Sequence, residues 1–265
     1  STIQLADITG DGADELIARS ASGILVHAFN KNSGQWQPVK QGATLNFSDF
    51  NSWGVLEYYS TIQFADFDGD GKKEMLARGA SGLSIHSFNN NNLSWNALPA
   101  PDGFSDSDGW NNLQYYSTIQ TGDINGDGKA EIFARGASSV VFYSYDTDAK
   151  KWNSLASIDA INNNAGWGQP QYYSTIQAGD IDGDNKDEIL ARGSNGVIFF
   201  NYENNKWTQS SSTLTVLSDK NGYDLKPYYS VIQTGDTNGN GKAELLTRAG
   251  DGLDIWGLDS TNHWQ

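Results

Sequence analysis

The sequence predicts an all-β fold, a five-bladed β-propeller with four antiparallel strands per blade, and three observations carry that prediction. A Ser-Thr-Ile-Gln anchor occurs at Ser1, Ser60, Ser117 and Ser174 and returns as Ser-Val-Ile-Gln at Ser230, giving five copies spaced by 59, 57, 57 and 56 residues. Each copy reads as short apolar runs separated by Gly- and Asn-rich turns. No stretch outside the segments linking the copies carries a helical period.

The second copy shows the elements in order. Ser60 to Asp66 is a first β run, Asp66 to Glu74 a glycine-rich loop, Met75 to Arg78 a second run and Gly79 to Gly82 a tight turn. Leu83 to Phe88 follows as a third run, Asn89 to Asn92 as a turn, and Trp95 to Leu98 as a fourth run. The third strand keeps apolar residues at its first and third positions in every copy: Ile24 and Val26, Leu83 and Ile85, Val140 and Phe142, Val197 and Phe199, Leu253 and Ile255. That alternation marks one buried face. The first strand places Gln4, Gln63, Gln120, Gln177 and Gln233 two residues before Ala6, Ala65, Gly122, Gly179 and Gly235, and small residues there let five strands crowd around a common axis. The blades are therefore expected at 1–59, 60–116, 117–173, 174–229 and 230–265 of a single propeller domain, 1–265, each including its outgoing linker. The last copy is expected to hold all four strands, ending at Trp264-Gln265, and to lack only the linker. Because Ser1 opens inside a recurring anchor, the chain is expected to be a mature or excised piece of a longer polypeptide.

Charge and composition remove several functions. With 32 acidic against 17 basic side chains the net charge is −15, which repels phosphate backbones and anionic headgroups, so nucleic acid and membrane surfaces are excluded as bulk electrostatic partners. No apolar run approaches the ~20 residues of a spanning helix, so membrane insertion is not expected. The chain has no cysteine, and at this length it can bury a full core without disulfides.

The acidic residues concentrate in five nine-residue loops between the first and second strands. Oxygen side chains recur at positions one, three, five and nine, with the carbonyl of position seven free to join them. The sets are Asp7, Thr9, Asp11, Ala13 and Glu15; Asp66, Asp68, Asp70, Lys72 and Glu74; Asp123, Asn125, Asp127, Lys129 and Glu131; Asp180, Asp182, Asp184, Lys186 and Glu188; and Asp236, Asn238, Asn240, Lys242 and Glu244. Ca2+ takes six to eight oxygens at about 2.3–2.6 Å, and alternate residues of a wound loop point several oxygens inward together. The spacing differs from an EF-hand, because glutamate stands at position nine and opens a strand. Asp, Gly and Asn also make good turns, so a single loop would decide nothing. Five copies holding 16 of the 32 acids point to up to five calcium ions, one per blade, which would bring the charge from −15 to about −5. Asn238 and Asn240 make the fifth site the weakest.

The stretch Asp-Phe-Asp-Gly-Asp-Gly-Lys-Lys-Glu-Met-Leu-Ala-Arg-Gly-Ala-Ser-Gly, residues 66–82, resembles the FG-GAP or VCBS repeats of integrin-like calcium propellers, and the match extends over all five copies. With its aromatic linkers, such as Phe104 to Trp110, the layout also resembles the Psathyrella velutina-type mushroom lectins. That resemblance implies structural calcium, sugar binding in pockets between blades, glycans or glycoproteins as partners, and a secreted, extracellular protein. Those lectins have seven blades, and Ala-Arg-Gly-Ala stands here where they carry a Gly-Phe-Gly segment, so the identity of the sugar does not carry over.

In an up-and-down meander the first and third turns lie on one face and the second turn and linker on the other, so the loops and any linker-held ligand are expected to be separate. The linker face carries Trp53, Trp110, Trp167 and Tyr223, followed by paired tyrosines that end in Tyr59, Tyr116, Tyr173 and Tyr229. Arg19, Arg78, Arg135, Arg192 and Arg248 precede the second turn on the same side. Aromatic faces stack on a pyranose while arginine takes hydroxyls, which makes these the candidate ligand residues. The same rings can plug gaps between blades, and the same arginines can bond linker carbonyls. A second set, Trp36, Trp95, Trp152, Trp207 and Trp264, opens the fourth strands and is assigned to packing between blades. The expected function is a calcium-stabilised multivalent lectin rather than an enzyme, because symmetry favours repeated binding over one asymmetric catalytic site. The alternative is a protein-adhesion or accessory propeller of a larger secreted enzyme or toxin. Asn46-Phe47-Ser48 and Asn92-Leu93-Ser94 are glycosylation sequons.

Overall fold

The structure, a computed structural model, describes residues 3–39 and 47–265. Ser1 and Thr2 of the first anchor and Asn46 of one sequon lie outside the described residues. Five antiparallel sheets follow one another along the chain as the blades of a five-bladed β-propeller. The first holds Ile3–Ala6, Glu15–Ser20, Gly23–Asn30 and Gln35–Pro38. The second holds Gln63–Ala65, Glu74–Gly79, Gly82–Asn89 and Ser94–Leu98. The third and fourth run through Gln120–Gly122, Glu131–Arg135, Val140–Asp146 and Lys151–Ser154, then Gln177–Gly179, Glu188–Gly193, Gly196–Glu203 and Lys206–Gln209. Strand order in each is that of a meander, as the turn spacing predicts.

The fifth blade departs from expectation. It holds three strands, Gln233–Gly235, Glu244–Arg248 and Leu253–Trp256, and the anticipated fourth is reduced to a bridge between Leu258 and Trp264. The Asp259 carboxylate accepts the amides of Thr261 and His263, and this turn leaves only the last two residues to pair, through mutual bonds of Gly257 and Gln265.

By its contacts the chain divides into two compact units, Ser1–Ser117 with Ser144–Asn153, and Thr118–Tyr143 with Ser154–Gln265. Within the first, Ile24 and Val26 share a core with Phe47, Ile62, Met75, Ala77, Phe88 and Trp95. Within the second, one core gathers Val140, Phe142, Ile158, Ile161, Ile176, Ile189 and Trp207, and another Val197, Phe199, Leu214, Leu217, Ile232 and Leu245. In each case the third-strand face of one blade is covered by its outgoing linker and the next blade. The fourth-strand indoles reinforce these seams: Trp152 donates to the carbonyl of Pro99 at 2.9 Å and Trp207 to that of Ala156 at 2.8 Å.

The anchor motif resolves into four separate tasks. Each linker ends in one helical turn, Leu56–Tyr59, Leu113–Tyr116, Pro170–Tyr173 or Lys226–Tyr229. The serine that follows closes that turn, as when Ser174 Oγ donates to the Pro170 carbonyl at 2.6 Å. The threonine bridges linker to strand: Thr175 Oγ1 donates to the Tyr172 carbonyl at 2.7 Å and accepts the Arg192 amide at 3.0 Å. The isoleucine is buried in the second to fifth copies and exposed at Ile3, and where it is buried its carbonyl accepts the preceding blade's glutamine, Gln4 onto Ile62, Gln120 onto Ile176 and Gln177 onto Ile232. In the second to fifth copies only the glutamine and the two residues after it are strand, so the sequence-based first run starts too early there. Among the described residues no helix is long and apolar enough to cross a membrane.

Thr175→Val keeps the shape of the side chain and strands a buried amide and carbonyl. It should lower the unfolding free energy by about 1–3 kcal/mol, read from urea denaturation.

Candidate functional site

The five acidic loops have one construction. The aspartate at position one accepts two loop amides, as Asp66 does from Gly69 at 2.7 Å and Gly71 at 2.9 Å. Positions three and five accept the amide two residues on, as Asp68 does from Asp70 at 3.2 Å and Asp70 from Lys72 at 2.8 Å. One carboxylate oxygen of each of these two residues thereby shapes the loop. The glutamate at position nine is buried in all five and accepts the amide of position two, Phe67 to Glu74 at 3.0 Å and Ile181 to Glu188 at 3.0 Å. Consecutive loops are stitched together within the units, the Lys73 amide to the Asp7 carbonyl at 2.8 Å and the Ala243 amide to that of Asp180 at 2.6 Å.

Burial and the surrounding aspartates push the carboxyls of Glu74 and Glu188 up to about 8, and burial raises those of Asp68 and Asp182. The oxygens of Asp66, Asp68 and Asp70 come within 4.8 Å of one another, as do those of Asp180, Asp182 and Glu188. The second and fourth loops therefore present convergent hard oxygens of the kind a divalent cation takes. The other three loops repeat the backbone path with Thr9, Asn125, or Asn238 and Asn240 in place of acids, and Asn125 and Asn238 donate instead to Glu131 and Glu244. Lysines at position seven lean on position five, Lys72 to Asp70 at 2.7 Å and Lys129 to Asp127 at 3.1 Å.

At the other end of the blades three of the five arginines are closed off from solvent. Arg78, Arg135 and Arg192 are wholly buried. Arg78 Nε donates to the Phe104 carbonyl at 2.8 Å and its terminal nitrogen pairs with Asp106; Arg192 repeats this with Leu217 at 2.7 Å and Asp219. Arg135 meets Asn163, and Arg19 the Phe47 carbonyl and Asp49. The ligand role expected of these four gives way to a structural one, because each guanidinium is spent on its own blade's outgoing linker. Arg248 is exposed and approaches the Pro227 carbonyl at 3.5 Å. The linker partner was legible in principle: Asp49, Asp106, Asn163 and Asp219 each stand four residues before the linker aromatic.

The tyrosine pairs divide their labour differently from the expectation. Successive residues of a helical turn point about 100° apart, so one ring of each pair faces inward. In two pairs the inward ring is the second, Tyr116 and Tyr173 being buried; in the first pair Tyr58 is buried and Tyr59 packs half-buried on the first unit's core, and Tyr228 and Tyr229 are both half-buried. The first ring lies beside the guanidinium, Arg78 over Tyr58 at 5.5 Å and Arg192 over Tyr172 at 5.7 Å. The Tyr58 hydroxyl donates to Asp106 at 2.7 Å and that of Tyr172 to Asp219 at 2.6 Å, and the bond to Asp106 pushes the Tyr58 hydroxyl up to about 12.

Three cavities open at equivalent seams beside these rings. One of about 490 Å³ is lined by Trp53, Tyr58 and the turn from Gly79 to Ser84. A second of about 250 Å³ is lined by Trp167, Tyr172 and the turn from Gly193 to Gly196, and a third of about 500 Å³ by Tyr223, Tyr228 and the Ala249-Gly250 turn. The incoming linker supplies the rings and the next blade's second turn supplies the floor. A Cβ on Gly79 would stand 3.2 Å from the Trp53 indole, and one on Gly193 3.5 Å from that of Trp167, so glycine lets the indole lie on the turn. Where the ring is the smaller Tyr223, the turn carries Ala249. Trp110 belongs to the same kind of linker cluster, 4.4 Å from Phe104 and 5.9 Å from Tyr115 between ring centres. Loop and linker thus occupy opposite ends of a blade, as the meander requires; the second loop's open side is instead lined by the third turn, Asn89 to Asn91, in a cavity of about 400 Å³.

Residues 7–77, 66–134, 123–191 and 180–247 match the FG-GAP-like repeat, each match running from one acidic loop through the second strand of the next blade. The chain belongs to the FG-GAP-like repeat family. The FG-GAP-like loops are thus the five acidic loops described above. Curated protein sequences give no significant match. Among solved structures, an Agrocybe aegerita lectin described as recognising non-reducing terminal N-acetylglucosamine superimposes with a TM-score of 0.79 at 18% identity, over 99% of this chain and 64% of its own. A Photorhabdus luminescens Tc holotoxin pore gives 0.56 at 16% identity over 99% of this chain and 11% of its own, and a Lactobacillus plantarum protein 0.50 at 12% over 95% and 66%. These likenesses establish the shared propeller fold.

Arg192→Met should destabilise the protein by about 3 kcal/mol, the lower end of the cost of breaking a buried pair, because Asp219 keeps 31% of its side chain exposed. The measurement is chemical denaturation; a purely ligand-contacting arginine would leave the midpoint unmoved.

Proposed function

We propose that this FG-GAP-like propeller is a calcium-stabilised, multivalent carbohydrate-binding protein that holds one sugar unit in each seam pocket. The observation that carries the reading is the recurrence of one pocket design at three seams, with an aromatic wall from the linker and a polar turn as floor. An indole or phenol face stacks on the C–H side of a pyranose, while Ser81, Ser84, Ser194, Asn195 and Asn221 offer hydrogen bonds to its hydroxyls. Repeated weak sites on one body act together on a multivalent glycan surface through effective concentration. The Agrocybe lectin supports the class of ligand, and its N-acetylglucosamine is the first sugar to test. Such a role belongs with an extracellular protein.

In the same reading Asp66, Asp68, Asp70, Glu74 and the Lys72 carbonyl would hold calcium, with their counterparts in the other loops doing so with fewer charges. Buried glutamates amid aspartates fit a cation, which supplies the charge that burial otherwise denies them. The ion's place, at the opposite end of the blade from the pockets, gives it a structural role.

Calorimetry against N-acetylglucosamine-terminated oligosaccharides should count repeated sites. Trp167→Ala should remove one of them, with a loss of about 1–3 kcal/mol at that seam and the others intact. The Tyr223 seam should be the weakest. Absence of binding across a broad glycan panel would favour the protein-adhesion or accessory-domain alternative.

Chelation should lower the melting temperature, and the loss should depend on pH. Without metal, Glu74 and Glu188 are protonated in the fold up to about 8 but titrate near 4.5 when unfolded, so metal-free stability falls as pH rises between those values. The melting-temperature gain from added calcium should therefore be larger at the alkaline end of that window.

A further inference from the structure

The three seam cavities share a design and differ at one register position. The residue between the two apolar positions of each third strand points to the opposite face of its sheet. It pairs with the second strand, Ser84 opposite Ala77, Ile198 opposite Ala191 and Asp254 opposite Thr247, and in each case it lines the seam's cavity. The first and third blades carry Leu25 and Val141 there, so Asp254 is the one acid that the five repeats place at this position.

Asp254 makes the tyrosine seam chemically unlike the other two. Its cavity is walled by Tyr223 and Tyr228, whose ring centres lie 5.6 Å apart with the planes inclined at 49°, and by the apolar Val216 and Leu225. Asp254 is half-buried, is the one ionised group among the residues lining the cavity, and has no cation paired with it among the described residues. It stands close enough to Tyr223 that its charge joins burial in raising that hydroxyl. Arg248 lies over the Tyr228 ring at 5.7 Å and approaches the Pro227 carbonyl, but it does not line the cavity. Both rings and the carboxylate belong to the second compact unit, and Ser84 and Ile198 show that the acid's place in the cavity follows from strand register.

We infer that the Tyr223 seam binds a primary ammonium group, and that its ligand is an unacetylated amino sugar. Two phenol faces and a carboxylate suit a compact cation: the rings attract it with their negative faces, and the carboxylate accepts its N–H groups in charge-assisted bonds. A net charge of −15 further favours a cationic ligand. The other seams lack that charge. Ile198 and Ala165 give the Trp167 cavity an apolar floor, and Ser84 gives the Trp53 cavity a hydroxyl, so those two suit neutral or acetylated sugars. The sugar part of the inference rests on the carbohydrate-binding reading above; the ammonium part does not.

The test is NMR titration of the whole chain, labelled at its tyrosine and tryptophan rings, with the methyl glycosides of glucosamine and of N-acetylglucosamine at a pH where the amine is charged. The Tyr223 and Tyr228 signals should report binding of the glucosamine glycoside about fivefold tighter than that of the acetylated one. Asp254→Asn, which keeps the side chain's shape, should remove this preference, retain a cooperative melting transition and leave the tryptophan seams unchanged. A tyrosine seam that takes both glycosides equally, or a preference that survives Asp254→Asn, overturns the inference while the carbohydrate reading stands. If neither glycoside binds at any seam, that reading falls, and cyclohexylammonium against cyclohexanol decides the ammonium site by itself. Selective response of Tyr223 and Tyr228 to the cation upholds the site; an equal response, or none, overturns it. Both comparisons on the wild type hold whether or not the variant folds.

Discussion

A buried guanidinium at the end of the second strand is the constraint on which the linker face depends. A charge placed at zero exposure is costly unless its donors are met, so Arg78 and Arg192 each require an acceptor on both sides of the fork. Those acceptors are a carbonyl and a carboxylate of the outgoing linker, and the same carboxylate also accepts a tyrosine hydroxyl from the incoming one. Asp106 and Asp219 additionally donate their amides to the turn carbonyls of Ala80 and Ser194. One buried cation thereby holds two linkers and a turn in register. The Arg–Asp–Tyr cluster is the reason a segment with only single turns of helix can present rigid aromatic walls.

The acidic loops solve the opposite problem, an excess of negative charge in a small volume. Their backbone amides are used first: at positions one, three, five and nine, carboxylate or amide oxygens accept loop N–H groups, so the path is set by hydrogen bonds even where asparagine replaces an acid, as in the fifth loop. The turn-making chemistry and the cation-binding chemistry of aspartate are therefore compatible uses of different oxygens on one side chain. Main-chain bonds also join consecutive loops, Lys73 to Asp7, Asp187 to Asp123 and Ala243 to Asp180.

Much of this was legible in the sequence. The anchor spacing gave the number of blades, and the apolar alternation of residues such as Val140 and Phe142 gave the buried face. The position of the loops at one blade end and the linkers at the other followed from the meander. Other features were hidden for definite reasons. Tyr58 and Tyr59 are the same residue type, and only the helical turn that carries them decides which ring enters the core. Arg78 looked like a surface group near a pocket because composition does not reveal that its guanidinium is engaged by Phe104 and Asp106, 26 and 28 residues away. The fourth strand of the last blade failed because Asp259 diverts the amides that a strand would use.

The Trp53 indole resting on Gly79, and the Trp167 indole on Gly193, make each pocket the joint property of two repeats: rings from one, floor from the next. No repeat can therefore carry a pocket alone, and the unit that carries it is the junction. Duplicating a repeat creates a new junction whose halves already fit, whereas altering one turn changes a single junction without disturbing the tandem pattern. Ring and turn are matched in this way at three junctions, glycine with tryptophan at two and Ala249 with Tyr223 at another.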